Sequence, residues 1–148
     1  MAGKTNNKGR AFKGTFSAIP HSVQSQEKYK QLSAHARMLL LELLYQYKGF
    51  NNGDLCATWS MMAKRGFRSR ATLHKSINEL MHAGMIQRTR QGGRHCPSLY
   101  GVTWLGIDEC KHPKTKAHKL DVRPSPVPSG AWKDACSMQT PCKHEAGP

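Results

Sequence analysis

The sequence predicts a mainly α chain with a small β-hairpin, an α+β fold in which a few helices share one core capped by a small sheet. Three observations lead there. Residues 58–80 read as a short helix, a tight turn and a second helix. A broad apolar face marks a longer helix beginning at Ser33, and two runs of strand character flank the tip Gln91-Gly92-Gly93-Arg94.

Taken in order, residues 1–17 are rich in Gly, Asn and Lys, a flexible basic arm that either follows phosphate or has no structure of its own. Ile19 and Val23 are expected to pack as an ordered lead-in, and residues 27–31 to form a helical turn with Tyr29 as its apolar contact. From Ser33, the positions of Ala36, Leu39, Leu40, Leu43, Leu44 and Tyr47 give one buried helical face. Met38 and Leu41 fall off that stripe and suggest a symmetric contact in a homodimer. Gly49 and Asn51-Asn52-Gly53 end the helix, and Asp54-Leu55-Cys56 is a short strand suited to pair with the hairpin.

Thr58 is placed to cap the next helix, which carries Trp59, Met62 and Ala63. Gly66 tolerates the positive φ that closes a helix, and Ser69 caps the one that follows. Leu73, Ile77, Leu80 and Met81 form its apolar stripe, and Gly84 lies just past its end. Two short helices joined by a Gly-containing turn make a helix-turn-helix. Met85-Ile86 leads into a first strand, and residues 99–104 return as a second.

The opposite face of the second helix bears the chemistry. Ala71, Lys75, Asn78 and His82 point away from the stripe, with Arg70 at the start and His74 on the flank. Arg68 and Ser69 precede them at a helix N-terminus, where backbone N–H groups and the dipole favour an anion. A solvated basic face on a core helix is the simpler account of these charges alone. The turn, the caps and the hairpin shift the balance toward nucleic acid. Arg70, His74, Lys75 and Asn78 are then the candidates for base edges. Arg68, Thr72, Arg88, Arg90 and Arg94 are the candidates for the backbone, and Ser69 at the helix start completes the DNA-binding set.

Composition agrees with such a partner. The 148 residues carry a formal charge of +14, concentrated before residue 107, which favours a polyanion and salt-sensitive affinity. No apolar run reaches the roughly 18 residues of a membrane span and no secretory leader is apparent, so a cytoplasmic protein without membrane contact is expected. Five cysteines without a C-x-x-C pair suggest reduced thiols rather than disulfides or zinc. The C-x-H and C-x5-C spacings among Cys110, His112, Cys136, Cys142 and His144 match no common zinc pattern. Acids are few and scattered, and no phosphate loop or nucleophile signature is present, so neither an enzyme nor a cofactor is expected.

The order helix, short strand, helix, turn, helix, hairpin is that of a winged helix-turn-helix domain. Over residues 16–104 the chain resembles that superfamily, and more narrowly the helix-turn-helix proteins of bacterial chromosomes and mobile elements. The residues behind the resemblance are Ala18-Ile19-Pro20-His21, Leu32-Ser33-x-His35-Ala36-Arg37, Asn51-Asn52-Gly53-Asp54-Leu55, Lys64-Arg65-Gly66-Phe67-Arg68-Ser69, the run 88–94 and Ser98-Leu99-Tyr100. It implies double-stranded DNA binding through residues 69–82 and the wing, in transcription control or in replication of a mobile element. Winged helices also bind proteins, so an interaction module that blocks or recruits nucleic-acid machinery is the alternative, with Trp132 or Phe67 as an apolar anchor. Structured RNA is a third possibility, disfavoured by the lack of an aromatic stacking platform.

The expected organisation is therefore an arm over 1–17, a winged helix-turn-helix domain over 18–106, and a Pro/Lys-rich, largely irregular tail over 107–148. Alternating prolines between Pro124 and Pro128 exclude a long helix there. Trp132 is expected to dock the tail back onto the domain, unless the tail is disordered or serves a partner.

Overall fold

In the computed structural model, residues 14–133 are described, and they form an α+β fold of five helices and one three-stranded antiparallel sheet. The basic arm before residue 14 and the cysteines Cys136 and Cys142 with His144 lie outside the described residues. Two four-residue helices, α1 (His21–Gln24) and α2 (Glu27–Lys30), lead in. Val23 is fully buried, and Ile19 and Tyr29 pack partly against the core, as their apolar character suggests.

The long helix α3 spans Ala34–Gln46. The Ser33 hydroxyl accepts from the Ala36 N–H at 3.2 Å, satisfying one of the donors that a helix start leaves orphaned. Ala36, Leu39, Leu40, Leu43 and Leu44 are buried, each large aliphatic stabilising the fold by about 1.5–3 kcal/mol. Asn51 helps end the helix. Its amide donates to the Gln46 carbonyl at 2.9 Å and its oxygen accepts from Lys48 N at 2.7 Å, so the chain turns out of the helix over its own side chain.

Strand β1 (Leu55–Cys56) lies at one edge of the sheet, followed by α4 (Trp59–Lys64) and α5 (Arg70–His82). Thr58 has the extended backbone of a cap but makes no capping side-chain bond. Its hydroxyl instead lies 3.3 Å from that of Ser60. Gly66 holds φ 107°, Phe67 N donates to the Met62 carbonyl at 3.0 Å, and the Phe67 side chain is buried in the main core. The turn thus closes one helix and anchors it in the core within a few residues.

Strands β2 (Ile86–Arg90) and β3 (Leu99–Val102) form the hairpin, and β1 pairs with β3, giving the order β1-β3-β2. The β2–β3 register slips between Arg88 and Arg90. Thr89 sits in this bulge with its side chain buried, and its hydroxyl donates to the Gly53 carbonyl. On either side of it Arg88 is exposed and Arg90 half-buried.

Along β3 the side chains alternate between two cores. Tyr100 and Val102 join the main core under the helices, whereas Leu99 packs with Ile107, Cys110 and Leu120 on the other face. The segment 107–125 covers that second face, and the packed unit continues to Trp132, which is buried in the main core. Only isolated bridges and a 3-10 turn at Ala131–Lys133 give 107–133 regular structure, in keeping with an irregular tail, but its contacts make it a strap. Of the fates considered for Trp132, back-docking is the one observed. Gly84, at φ 74°, makes room for it: a Cβ there would collide with the Ala131 carbonyl.

A buried side chain joins these layers. Asn52 donates its amide to the carbonyls of Val102 and Gly106 at 3.1 and 2.8 Å and accepts from Val102 N at 2.8 Å. Its own N–H donates to Asp108 at 2.7 Å. The sequence marks Asn52 only as part of a turn, yet its bonds link that turn to β3 and to the start of the strap.

Candidate nucleic-acid interface

Helix α5 has a clean division of faces. Leu73, Ser76, Ile77 and Leu80 are buried, while Arg70, Ala71, His74, Lys75, Asn78 and His82 are exposed. Ser76 is a polar member of the inner face, satisfied by donating to the Thr72 carbonyl at 2.8 Å. Ser69 caps the helix, its hydroxyl accepting from Thr72 N at 3.4 Å, so Ser69 and Thr72 support the helix start. The Arg70 guanidinium lies 5.7 Å from the centroid of the Trp59 ring, a cation–π contact that ties the start of α5 to α4. Arg68 is exposed in the turn beside it.

Glu79 keeps this face basic, and sequence reasoning passed over it. It is the only acid between Asp54 and Asp108, and it turns toward α3. There it accepts from Ser33 N at 2.6 Å and from the Ser33 hydroxyl at 2.8 Å. The one negative charge of α5 thereby fastens the two long helices together. A lone acid on an otherwise basic helix was the available signal.

The hairpin separates its arginines into different roles. Arg88 is exposed, donates to the Gln91 side chain at 2.9 Å and lies 5.9 Å from the Tyr100 ring centroid. Arg94 and His95 are exposed in the loop 91–98. Arg90 differs: it is half-buried and donates to the Pro97 carbonyl at 2.9 Å, bracing the loop across its base. Its Nε is buried without a protein partner. Arg88 keeps an exposed side chain despite its bond to Gln91, whereas Arg90 is half-buried against the loop backbone.

The structure therefore brings Arg68, Ser69, Arg70, Thr72, His74, Lys75 and Asn78 together on one helix and its entry turn, and Arg88, Arg90 and Arg94 on the hairpin that follows. Burial, then Asp54 and Asp108, pushes Cys110 up to about 11, and burial followed by Asp54 raises Cys56. Among the described residues, no three His, Cys, Asp or Glu side chains gather to hold a metal ion. No described helix is long and apolar enough to cross a membrane. Comparisons with known protein families, curated proteins and solved structures gave no match.

Proposed function

We propose that the chain is a sequence-selective double-stranded DNA binder of the winged helix-turn-helix type, acting in the cytoplasm in transcription control or in replication of a bacterial mobile element. One observation carries this reading: α5 follows a short helix through a tight turn and turns Arg70, His74, Lys75 and Asn78 outward, with its only acid drawn inward. The small Ala71 among them permits close approach to a groove floor. An amide and long donors on one exposed face suit base edges, and the exposed Arg68, Arg88 and Arg94 suit phosphates.

The test separates those two roles. Asn78→Ala or Lys75→Ala should cut the preference for the chosen site over a scrambled duplex by about tenfold or more. Arg94→Gln should weaken both duplexes equally and lower the salt slope by about one. Arg90 is a poor probe of phosphate contact, because losing its bond to Pro97 would disturb the loop itself. Equal losses on both duplexes from all these changes would remove the groove assignment.

A protein-binding role has support of its own from a different surface. Phe67 and Trp132 are both buried and cannot anchor a partner without unfolding. Tyr45 on α3 and Phe50 just past its end are each 70% exposed, and Leu41 is exposed one turn before Tyr45 on the helix. Met38 packs against the core instead, so self-association through α3 would use Leu41 and Tyr45. Ser in place of Tyr45 and Phe50 should leave DNA affinity unchanged, and a salt-insensitive partner lost with that change would favour the protein-binding reading.

A further inference from the structure

The strap carries a second basic loop, and its place in the fold is set by bonds at its base. Segments on either side of it are joined by the bridges Ile107↔Ser125 and Lys111↔His118, so 107–125 runs out along the second face of the sheet and back. Cys110 and Leu120, at the neck, pack with Leu99 and Cys56. Leu99 and Cys56 are paired with each other at the end of the sheet from which the 91–98 loop leaves.

The returning arm is fastened to that same loop. Asp121 N donates to the Thr89 carbonyl at 2.8 Å, and the Asp121 carboxylate accepts from Gln91 N at 2.8 Å. Lys119 grips Asp54 through both carboxylate oxygens at 2.7 Å. The acids nearest the neck are thus spent on the protein itself.

The tip between these arms contains Lys111, His112, Lys114, Lys116 and His118 and no acid. All five are exposed. Glu109 pairs with Lys111 at 3.0 Å, whereas no acid among the described residues pairs with Lys114 or Lys116. The tip has a defined shape: Lys116 N donates to the His112 carbonyl at 2.9 Å, and Lys116 itself takes φ 59°. The His112 ring Nδ1 accepts from the N–H groups of Lys114 and Thr115, both at 3.3 Å. A non-glycine residue held at positive φ is a conformation that the surrounding bonds must maintain. The two lysines are therefore presented on a built turn rather than on a loose tail.

We infer that Lys114 and Lys116 form a second phosphate-contacting site, beside the 91–98 loop, on the same DNA duplex. The inference rests on the DNA reading above and widens its footprint to the strap. Cations on a preshaped loop whose neck is fastened to the start of the 91–98 loop meet a polyanion with little ordering cost. Lysines on a loop of the strap, away from the groove-facing helix α5, meet backbone rather than base edges, so this site adds affinity and not selectivity.

The experiment measures duplex binding by the full chain across a salt series, comparing wild type with K114Q/K116Q, K114R/K116R and Arg94→Gln. The glutamine pair should reduce the slope of log affinity against log salt by about 1.8, at about 0.9 per phosphate contact, with the preferred sequence and the thermal midpoint unchanged. The arginine pair should keep the wild-type slope. A wild-type slope in the glutamine pair, while Arg94→Gln lowers it, overturns this inference and leaves the DNA reading standing. An altered sequence preference overturns the assignment to phosphate. No duplex binding by wild type overturns both.

Discussion

The two faces of the sheet are covered by different kinds of chain. On one, α3 and α5 lay aliphatic stripes over Leu55, Ile86, Tyr100 and Val102. On the other, Leu99 meets only Ile107, Cys110 and Leu120 from an irregular strap, with Cys56 and Val122 at the margin. The first cover owes its stability to apolar area at helical spacing. The second is thin and depends on polar fastenings: Lys119 on Asp54, Asp121 on the hairpin and Asn52 on Asp108. The helix face therefore sets global stability, while the strap face sets how firmly one edge of the candidate interface is held.

That contrast can be broken by truncating each side in turn. Leu40→Ala, at a fully buried site in α3, should cost about 3–5 kcal/mol in denaturant unfolding and lower protection throughout the fold. Leu120→Ala removes a larger share of a smaller cluster, yet should cost only about 2 kcal/mol, because the thin layer can collapse around the gap. Amide exchange in that variant should rise first in 107–125 and leave α3 protected. Equal protection losses in both variants would mean that the strap and the helices unfold as one unit.

Smaller changes sharpen the same difference. The Lys119–Asp54 pair is about a quarter exposed, so Asp54→Asn should cost about 1 kcal/mol or less and be felt in the strap alone. The thiols give the mildest test. Cys96 is exposed in the 91–98 loop and should react with a thiol reagent near neutral pH. Cys110 should stay protected until the pH approaches its raised value of about 11 or the strap opens. Fast labelling of Cys110 at neutral pH would show a strap that does not stay docked.

The same contrast explains what the sequence made legible. Periodicity exposes α3 and α5 because their inner residues recur every three or four positions, and the Ser33 and Ser69 caps mark where they begin. Strand β1 and the hairpin followed from short apolar runs around turn residues. The strap has no period to find. Its apolar contacts are single residues, and its fastenings join positions such as Asp54 and Lys119 that nothing in local sequence connects. At the candidate interface, the outward positions of His74, Lys75 and Asn78 followed from helix geometry. The inward bond of Glu79 and the bracing role of Arg90 did not, because a charged residue's type leaves its partner open.

The central claim is selective recognition of duplex DNA by the outer face of α5, and its most direct test is enrichment from a random-sequence duplex pool at two salt concentrations. The expected result is one recurring motif, bound with an affinity that falls steeply with salt, and lost as a motif when Asn78→Ala and Lys75→Ala are combined. Motif-free binding that disappears near physiological salt would contradict that claim and reduce the positive charge to a general attraction for polyanions.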